Sequence, residues 1–349
     1  MSEGVTRQDS PPAAAAAVPS QSFSQTLRRF LSARELGPLI LLLIQVAIFA
    51  VNDPGFYSPL NISNMLAFVP ELGIIALGMT LLLTAGEFDL SVGSVFAFCQ
   101  VVMFILFHDG IMSLELAFVV VLLLAALNGF IIGVLVTKVH ISSFLVTLGM
   151  MLIVRGTVLY ITGGVSRATF GEIETPLTGI LVGIFEVGDF KFYNSLLWFL
   201  SLAAVLHFIL TQTPFGNWIM ATGGNAQAAR ARGVDTDRAK IILFMLTSVL
   251  AGFAGIISAL RLSTAYPVAG DGYELEVIAM TVIGGTLLLG GRGTIIGTLI
   301  GTLLLRTMRN GIIFVGIPGL AYDIFIGLII IFMMIIHQFL ERRARMGER

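Results

Sequence analysis

Long apolar runs separated by short polar or glycine-rich breaks fill the chain from residue 36 onward. A helix needs about 20 mostly apolar residues to cross a hydrocarbon core of about 30 Å, so runs close to that length predict membrane-spanning helices. The pattern predicts an all-α polytopic membrane protein with about ten transmembrane helices. The runs lie at residues 36–52, 66–84, 90–107, 114–136, 144–163, 195–211, 241–260, 275–289, 294–313 and 321–340. The breaks at 86–89 and 290–293 could instead be turns within discontinuous helices, which would change the count by about one.

The composition supports a membrane protein and excludes several other classes. Hydrophobic residues make up 56% of the 349 residues and charged residues 12%, whereas a soluble domain carries about 25% charged residues. A net charge of −1 offers no basic patch for nucleic acid. The single cysteine, Cys99, excludes a disulfide framework and a multi-cysteine metal site. We therefore expect membrane lipid around the protein and no metal, cofactor or nucleic-acid partner.

Basic residues predict the orientation of the chain, because they accumulate on the cytoplasmic side of a membrane. Residues 1–35 form an Ala-, Ser- and Pro-rich tail with four arginines, which we expect to be disordered and cytoplasmic. The segment 212–240 and the tail 341–349 are also rich in arginine and are predicted to be cytoplasmic. The segment 164–194 holds only two basic residues and is predicted to be an external loop. The transmembrane domain, residues 36–340, then crosses the membrane an even number of times.

A faint internal repeat relates the two glycine-rich breaks. At one constant offset, four residues of the first half match four of the second: Ile74, Gly86, Gly93 and Ser94 with Ile278, Gly290, Gly297 and Thr298. Inverted repeats of this kind are common in transporters. Among so many glycines, however, four matches can also arise by chance.

The segment 222–240, TGGNAQAARARGVDTDRAK, predicts a short capped helix on the cytoplasmic side. Asn225 is a good N-cap, Gly233 is well placed just beyond the C-terminus, and Asp235 can then cap the next spanning helix. A helix of about two turns between them is marginal alone in water and needs something to pack on. Its alanine-rich face and arginines suit docking onto a soluble cytoplasmic partner. The alternative is a capped surface loop whose arginines only enforce topology.

Two further stretches combine polar residues with glycine. In GEFDLSVGS, residues 86–94, Asp89 is predicted to open a helix. It could belong to a discontinuous helix that lines a polar path, or it could be an N-cap carboxylate beside a small-residue packing face. The stretch AGDGYELE, starting at Ala269, places three acids at the outer start of another helix, where the positive dipole end favours them. They could also form a rim at a pore mouth.

Five polar residues lie inside apolar runs: Glu71, Asn128, Arg155, Arg306 and Arg309. A charge at the bilayer centre costs about 2.5–3.5 kcal/mol on insertion scales, so such residues should face the bundle interior, water or one another. Arg155 is nearest a helix centre. It could mark a substrate pathway, or it could be a structural ion pair or a side chain that reaches the interface.

Three stretches in this order resemble the permeases of the ribose, xylose, arabinose and galactose importer family: LGMTLLLTAGEFDLSVGS, GGNAQAARARGV, and GDGYELEVIAMTVIGG followed by GGRGTIIGTLIGT. The resemblance covers nearly the whole chain after residue 36. It implies two permease subunits that form the pathway, as a homo- or heterodimer, in the bacterial inner membrane. It also implies cytosolic ATP-binding subunits and a periplasmic sugar-binding protein as partners.

The resemblance also implies roles for residues. The family's ATPase-contacting loop matches Gly223, Gly224, Asn225, Ala228, Arg232 and Gly233. The segments around Asp89 and Glu274 match its pathway-forming helices. With the polar residues of the apolar runs, the predicted substrate pathway comprises Glu71, Asp89, Ser91, Asn128, Arg155, Glu274 and Arg306. Arg306 and Arg309 depart from the family, which is mostly apolar or amide-bearing there, so a less usual sugar, a polyol or a sugar acid comes into consideration.

The predicted function is that of a transport subunit rather than an enzyme. Residues 285–291 superficially resemble a phosphate loop but lack its Lys-Ser/Thr ending, so ATP hydrolysis is expected on a separate chain. The alternative is an ion-coupled secondary transporter of a small polar solute, with Glu71 and Asp89 as coupling groups. A membrane enzyme would need a cluster of Asp, His or Asn in facing loops, and the sequence has none.

Overall fold

A computed structural model describes residues 35–168, 175–332 and 335 of the chain. The first half contains α1 (Leu36–Asn52), a short 3-10 helix (Pro54–Tyr57), α2 (Pro59–Thr84), α3 (Val92–His108), α4 (Leu114–Thr137), α5 (Ser143–Thr162) and β1 (Arg167–Ala168). The second half contains α6 (Pro176–Val182), β2 (Ile184–Val187), β3 (Phe190–Tyr193), α7 (Asn194–Gln212), α8 (Pro214–Ala231), α9 (Thr236–Leu262), β4 (Thr264–Ala265), α10 (Tyr273–Ile283), α11 (Ile295–Phe314) and α12 (Gly319–Phe332). The tails predicted at 1–34 and 341–349 lie outside the described residues.

Local signals explain where several helices begin. The hydroxyl of Ser58 accepts a hydrogen bond from the backbone amide of Asn61, and Pro59 occupies the first position of α2. The Ser113 hydroxyl accepts in the same way from the amide of Leu116 at the start of α4. The Asp235 carboxylate accepts from the amide of Arg238 at the start of α9, as the sequence predicts. Such caps satisfy amides that have no partner within the helix.

Two helices form the centre of the molecule. α2 is almost fully buried and packs against α7, α9, α10 and α11, while α9 packs against α2, α3 and α4. The outer helices α4, α5 and α7 carry large apolar side chains that the fold leaves exposed, such as Leu123, Leu152 and Phe208. Apolar exposure of this kind is what a lipid-facing surface requires.

Glycines allow the central helices to approach closely. A Cβ on Gly129 of α4 would overlap the carbonyl of Phe244 in α9, and one on Gly255 of α9 would overlap the carbonyl of Phe96 in α3. Small residues at such crossings let helix backbones pack directly, which is how helices associate where lipid removes the hydrophobic driving force.

The predicted external loop at 164–194 is more structured than the sequence indicated. It contains α6 and an antiparallel hairpin in which Ile184 pairs with Tyr193 and Val187 with Phe190. The two-residue strand β1 pairs with β4, which follows α9. A capping box at Thr175 and Thr178 opens α6. The described parts of this segment, 164–168 and 175–194, therefore contain a helix and short paired strands.

Each of the ten predicted spans contains a helix in the structure, although some boundaries differ. α2 begins at Pro59 rather than residue 66, because Ser58 and Pro59 supply a start signal within a polar stretch. α10 ends at Ile283 rather than residue 289, because Gly285 adopts a φ of 101° that a helix cannot continue. Among the described helices, α2, α4, α5, α7 and α9 are long and apolar enough to cross a membrane, with α1, α3 and α12 shorter. The number of crossings stays a prediction.

Candidate functional site

A cavity of about 560 Å³ lies where α2 begins and where α9 and α11 end. Its lining combines arginine, glutamate, amide and aromatic side chains with a few aliphatic ones. The lining residues are Asn64, Met65, Phe68, Glu71, Phe96, Ser258, Leu262, Tyr266, Val268, Ala269, Tyr273, Arg306, Arg309, Asn310 and Ile313. A volume in this range, with apolar walls and a few polar groups, is typical of small-molecule sites.

A buried ion pair forms one wall of the cavity. Glu71 follows Pro70 in α2 and is 3% exposed, and its carboxylate pairs with the guanidinium of Arg261 in the last turn of α9. The guanidinium also lies 4.0 Å from the ring centroid of Phe68. Desolvation of two charges is costly, so the pair persists only because each partner compensates the other. The Glu71 carboxylate is therefore already engaged.

Two arginines of α11 form the opposite wall and differ in their partners. Arg309 lies 3.6 Å from the Glu276 carboxylate and stacks over the ring of Tyr322. Arg306 is 6% exposed, and its Nε and Nη2 atoms have no hydrogen-bond partner among the described residues. Arg306 thus lines the cavity with a buried guanidinium, and its Nε and Nη2 atoms are covered without a hydrogen-bond partner among the described residues.

The loop between α9 and α10 supplies the aromatic side of the cavity. The Tyr266 amide donates to Gln100 at 3.3 Å, and the Tyr273 ring packs edge-on to Phe96 with centroids 5.2 Å apart. The guanidinium of Arg155 in α5 anchors this loop, because it donates hydrogen bonds to the carbonyls of Pro267 and Ala269 at 2.9 and 2.8 Å.

Arg155 therefore does not line the cavity, although the sequence placed it on the predicted pathway. Its location explains how a charge in the middle of an apolar helix is satisfied: two backbone carbonyls of a non-helical segment accept its protons. Its contacts with the loop make it a residue that positions the wall.

A second polar cluster lies apart from the cavity, at the break between α2 and α3. Asp89 is fully buried, and one of its carboxylate oxygens accepts from both the amide and the hydroxyl of Ser91 at 2.7 Å. Asn128 of α4 donates to Ser248 at 3.3 Å and lies 3.5 Å from the Ser91 hydroxyl. The prediction that Asp89 opens the helix is wrong, since α3 begins at Val92 and Asp89 closes a local turn before it.

Glu274 and Glu276 share the first turn of α10, as the sequence predicts, but point to different neighbours. Glu276 reaches Arg309 and accepts a hydrogen bond from the Tyr322 hydroxyl at 3.2 Å. Glu274 packs against Gly93, where an added Cβ would lie 2.7 Å from the Glu274 carboxylate. Among the predicted pathway residues, only Glu71 and Arg306 line the cavity.

Three glycine-containing segments meet at the opposite end of α2, and we call this contact the glycine junction: the turns at Gly86 and at Gly290–Gly291, and Gly223–Gly224 of α8. The amide of Gly291 donates to the carbonyl of Thr84 at 2.8 Å. A Cβ on Gly290 would lie 2.8 Å from the Cα of Gly86 and 3.0 Å from that of Gly223. Gly86 and Gly290 both adopt φ of 84°, which favours glycine. The junction is a contact of backbone on backbone.

The segment predicted as a cytoplasmic coupling loop is largely helical. α8 runs through it with a kink at Asn225, whose backbone is extended and whose side chain accepts from the amide of Ala228 at 3.0 Å. Gly233 adopts a φ of 86° just after the helix, so the structure confirms both predicted caps. The helical part preceding the kink, about three turns from Pro214, was not predicted. Asn225, Ala228, Arg232 and Gly233 are exposed, while Gly223 and Gly224 belong to the glycine junction.

Charged side chains surround the glycine junction. Lys240 of α9 pairs with Glu87 at 2.5 Å, directly after the Gly86 turn. Asp237 pairs with Arg230 of α8 and with Lys138, which follows α4, the latter at 2.9 Å. This end of the bundle is therefore rich in basic residues. Within the part of the chain that the structure describes, no group of three or more metal-ligating side chains occurs.

Several cavity residues were missed by sequence reasoning. Arg261, the partner of the lining residue Glu71, was missed because the predicted span ended at residue 260, one position short of it. Tyr273 lies in the stretch AGDGYELE, in which only the acids were considered, and Tyr266 precedes that stretch. Asn64 precedes the predicted start of α2, so it was taken as part of a connection. The sequence does contain a signal for these cavity residues: aromatic and amide residues are concentrated just before and just after the predicted spans.

Comparison with known proteins identifies the class of protein. Residues 61–334 match the family described as branched-chain amino acid transport system / permease component. The match covers well over half of the chain, so the chain belongs to this family of transport permeases. No solved structure matches the chain significantly.

Individual relatives are similar along most of their length. The chain is 36% identical over 303 residues to the ribose import permease protein RbsC of Escherichia coli K12, covering 85% of this chain and 91% of that protein. It is 35% identical over 315 residues to RbsC of Bacillus subtilis, covering 87% and 92%. It is 32% identical over 304 residues to the autoinducer 2 import system permease protein LsrC of Photorhabdus laumondii, covering 86% and 88%. The family resemblance drawn from the sequence motifs is confirmed.

Proposed function

We propose that this chain is the permease subunit of an ATP-driven, binding-protein-dependent importer of a monosaccharide or a related polyol. The observation that carries the proposal is a polar, aromatic cavity at one end of the central helix and a closed glycine junction at the other. The similarity to ribose and autoinducer 2 import permeases supports this substrate class and an inner-membrane location.

The geometry suits a pathway closed on one side. Asn64 at the cavity and Thr84 at the junction are separated by about 20 helical residues, which is about 30 Å and close to the thickness of the hydrocarbon core. Basic residues surround the junction, which favours the cytoplasm for that end. The cavity then faces outside, where a binding protein would deliver the sugar, and the junction closes the route to the cytoplasm.

The helical piece after Asn225 is the proposed contact with the ATP-binding subunits. It is exposed, and it is continuous with Gly223 and Gly224 of the junction. Movement of this piece by a partner would pull Gly223 away from Gly86 and Gly290. Such an arrangement links a cytoplasmic event to the opening of the pathway through rigid contacts rather than through side-chain chemistry.

Sugar recognition in this cavity would combine stacking and hydrogen bonding. Aromatic rings at Phe68, Phe96, Tyr266 and Tyr273 offer faces for the C–H side of a sugar ring. The Asn64 amide and the Ser258 hydroxyl have no hydrogen-bond partner among the described residues. The alternative of an ion-coupled transporter would use Glu71 and Asp89 as coupling groups. The Glu71 carboxylate is engaged by Arg261, and one oxygen of Asp89 accepts hydrogen bonds from Ser91.

Orientation is tested by cysteine labelling in a Cys99→Ala background. Ser166 and Ala228 are both exposed, at opposite ends of the bundle. In cells with a permeabilised outer membrane, an impermeant thiol reagent should label Ser166→Cys and leave Ala228→Cys unlabelled until the inner membrane is opened. Labelling of Ala228→Cys alone would reverse the orientation.

Transport is tested by reconstitution with the ATP-binding subunits and the binding protein that the proposal requires. We expect vesicles to take up monosaccharides only with ATP and binding protein, and the permease alone to hydrolyse no ATP. The family description names branched-chain amino acids, so leucine belongs in the panel. Uptake of leucine instead of sugars, or uptake by this chain alone under a proton gradient, would overturn the proposal.

A further inference from the structure

We infer that the cavity selects a sugar that carries one carboxylate, such as a uronate or an aldonate, through the guanidinium of Arg306. This inference rests on the proposed function and narrows its substrate class. The observation behind it is the unequal pairing of the three arginines at the cavity. Arg261 pairs directly with Glu71 and Arg309 with Glu276, while Arg306 interacts with these two glutamates only at longer range, and its Nε and Nη2 atoms have no hydrogen-bond partner among the described residues.

The missing partner is significant because Arg306 is buried. An ionised group that is removed from water without a counter-ion is costly, and arginine cannot lose its proton to avoid the cost. Structural arginines in such positions are normally paired, as Arg261 is in the same cavity. An unpaired guanidinium beside an open volume of about 560 Å³ is instead available to an anion that enters with the substrate.

The charge balance favours a carboxylate over a phosphate. Three charged residues line the cavity, Glu71, Arg306 and Arg309, and the pairing partners Arg261 and Glu276 lie beside it, so three arginines and two glutamates leave one positive charge. Arg155, Asp271 and Glu274 form a separate group on the far side of the loop that Arg155 holds. A carboxylate carries one negative charge, whereas a phosphate monoester carries about 1.5–2 at neutral pH. A single carboxylate therefore neutralises the cavity.

The rest of the lining favours a sugar acid over an amino acid. An amino acid brings an ammonium group, which would need an unengaged carboxylate, and both Glu71 and Glu276 are occupied by arginines. Hydroxyl groups of a sugar acid would instead meet the side chains of Asn64, Ser258 and Tyr273, and its ring would meet aromatic faces. The guanidinium of one arginine would bind the carboxylate, and the neutral donors and acceptors would bind the hydroxyl groups. The lining therefore matches a polyhydroxylated carboxylate.

The test compares matched substrates in vesicles that contain the permease, its ATP-binding subunits and its binding protein. Uptake of D-glucuronate and D-galacturonate is measured against D-glucose and D-galactose, with glucose 6-phosphate and leucine as further probes. We expect the wild type to prefer an acid to its neutral counterpart. Arg306→Gln should lower the ratio of acid to neutral uptake at least tenfold, and Arg306→Lys, which keeps the charge without the fork, should fall between.

The ratio of acid uptake to neutral-sugar uptake within one variant includes a folding control, because uptake of the neutral sugar shows that the pathway of that variant is intact. Arg167→Gln, an exposed arginine outside the cavity, should leave the ratio unchanged. An unchanged ratio in Arg306→Gln, or a wild type that carries only neutral sugars, glucose 6-phosphate or leucine, overturns the inference. Uptake of neutral sugars leaves the proposed function standing. A wild type that moves neither sugars nor sugar acids overturns the proposed function itself.

Discussion

The cavity and the glycine junction lie at opposite ends of α2. Side chains form the cavity, whereas backbone forms the junction. At the cavity, long side chains such as Glu71 and Arg306 form the walls, and Arg261 pairs with Glu71. At the junction, Gly86, Gly223 and Gly290 bring backbone against backbone, and a Cβ on Gly223 or Gly290 would overlap its neighbours. A cavity made of side chains can change its selectivity by substitution while the helices stay in place. A junction made of backbone has no such freedom, which suits a part that only opens and closes.

The largest effect is expected at the ion pair of the cavity. Glu71→Gln leaves the buried guanidinium of Arg261 without a counter-charge, which should cost about 3–5 kcal/mol of unfolding free energy. The measurement is denaturant unfolding of the purified protein in detergent. Glu186→Gln, which removes the exposed partner of Lys191, is the control and should change stability by about 1 kcal/mol or less.

A double substitution sharpens this test. Glu71→Gln combined with Arg261→Met removes both charges and should recover part of the lost stability, because no buried charge is left unpaired. If Glu71→Gln costs no more than Glu186→Gln, the carboxylate and guanidinium are not a desolvated pair. The description of the cavity wall would then be wrong.

The next effect is expected at the glycine junction. An added Cβ on Gly223 would overlap the carbonyl of Thr84, so Gly223→Ala should hold the junction apart and reduce ATP-dependent uptake about tenfold or more. Gly149→Ala is the matched control, since a Cβ there meets nothing within 4 Å. Both variants should insert into the membrane normally. Equal uptake by the two would show that close backbone contact at the junction is not needed for transport.

The smallest effect is expected at the exposed helical piece next to the junction. Asn225→Ala removes the cap that accepts from the Ala228 amide, which should cost about 0.5–2 kcal/mol of local helix stability. Because this piece is the proposed ATPase contact, co-purification of the ATP-binding subunits should weaken while sugar delivery to the cavity persists. Gln227→Ala, at an exposed neighbouring position, should leave co-purification unchanged. Equal co-purification of both variants would argue for a topological anchor only.

Local sequence signals determined much of this protein. Apolar runs predicted a helix in every one of the ten segments, because a spanning helix must satisfy its backbone internally and cover itself with apolar side chains. The caps at Asn225 and Asp235 and the left-handed Gly233 were also predicted, since each depends on neighbours a few residues away. The same locality explains the boundary errors: Asp89 looked like a cap, but its carboxylate serves the turn before α3.

Only the tertiary structure decided which polar residues meet. Glu71 and Arg261 are separated by 190 positions, and Arg155 holds a loop more than 100 positions away. Such pairings depend on how the helices cross, and a single sequence contains no local trace of a crossing. The structure therefore divided the predicted pathway into a cavity with Glu71 and Arg306, a separate Asp89–Ser91–Asn128 cluster, and a support at Arg155. It also joined three glycine motifs into one junction, because backbones can meet only where side chains are absent from every partner.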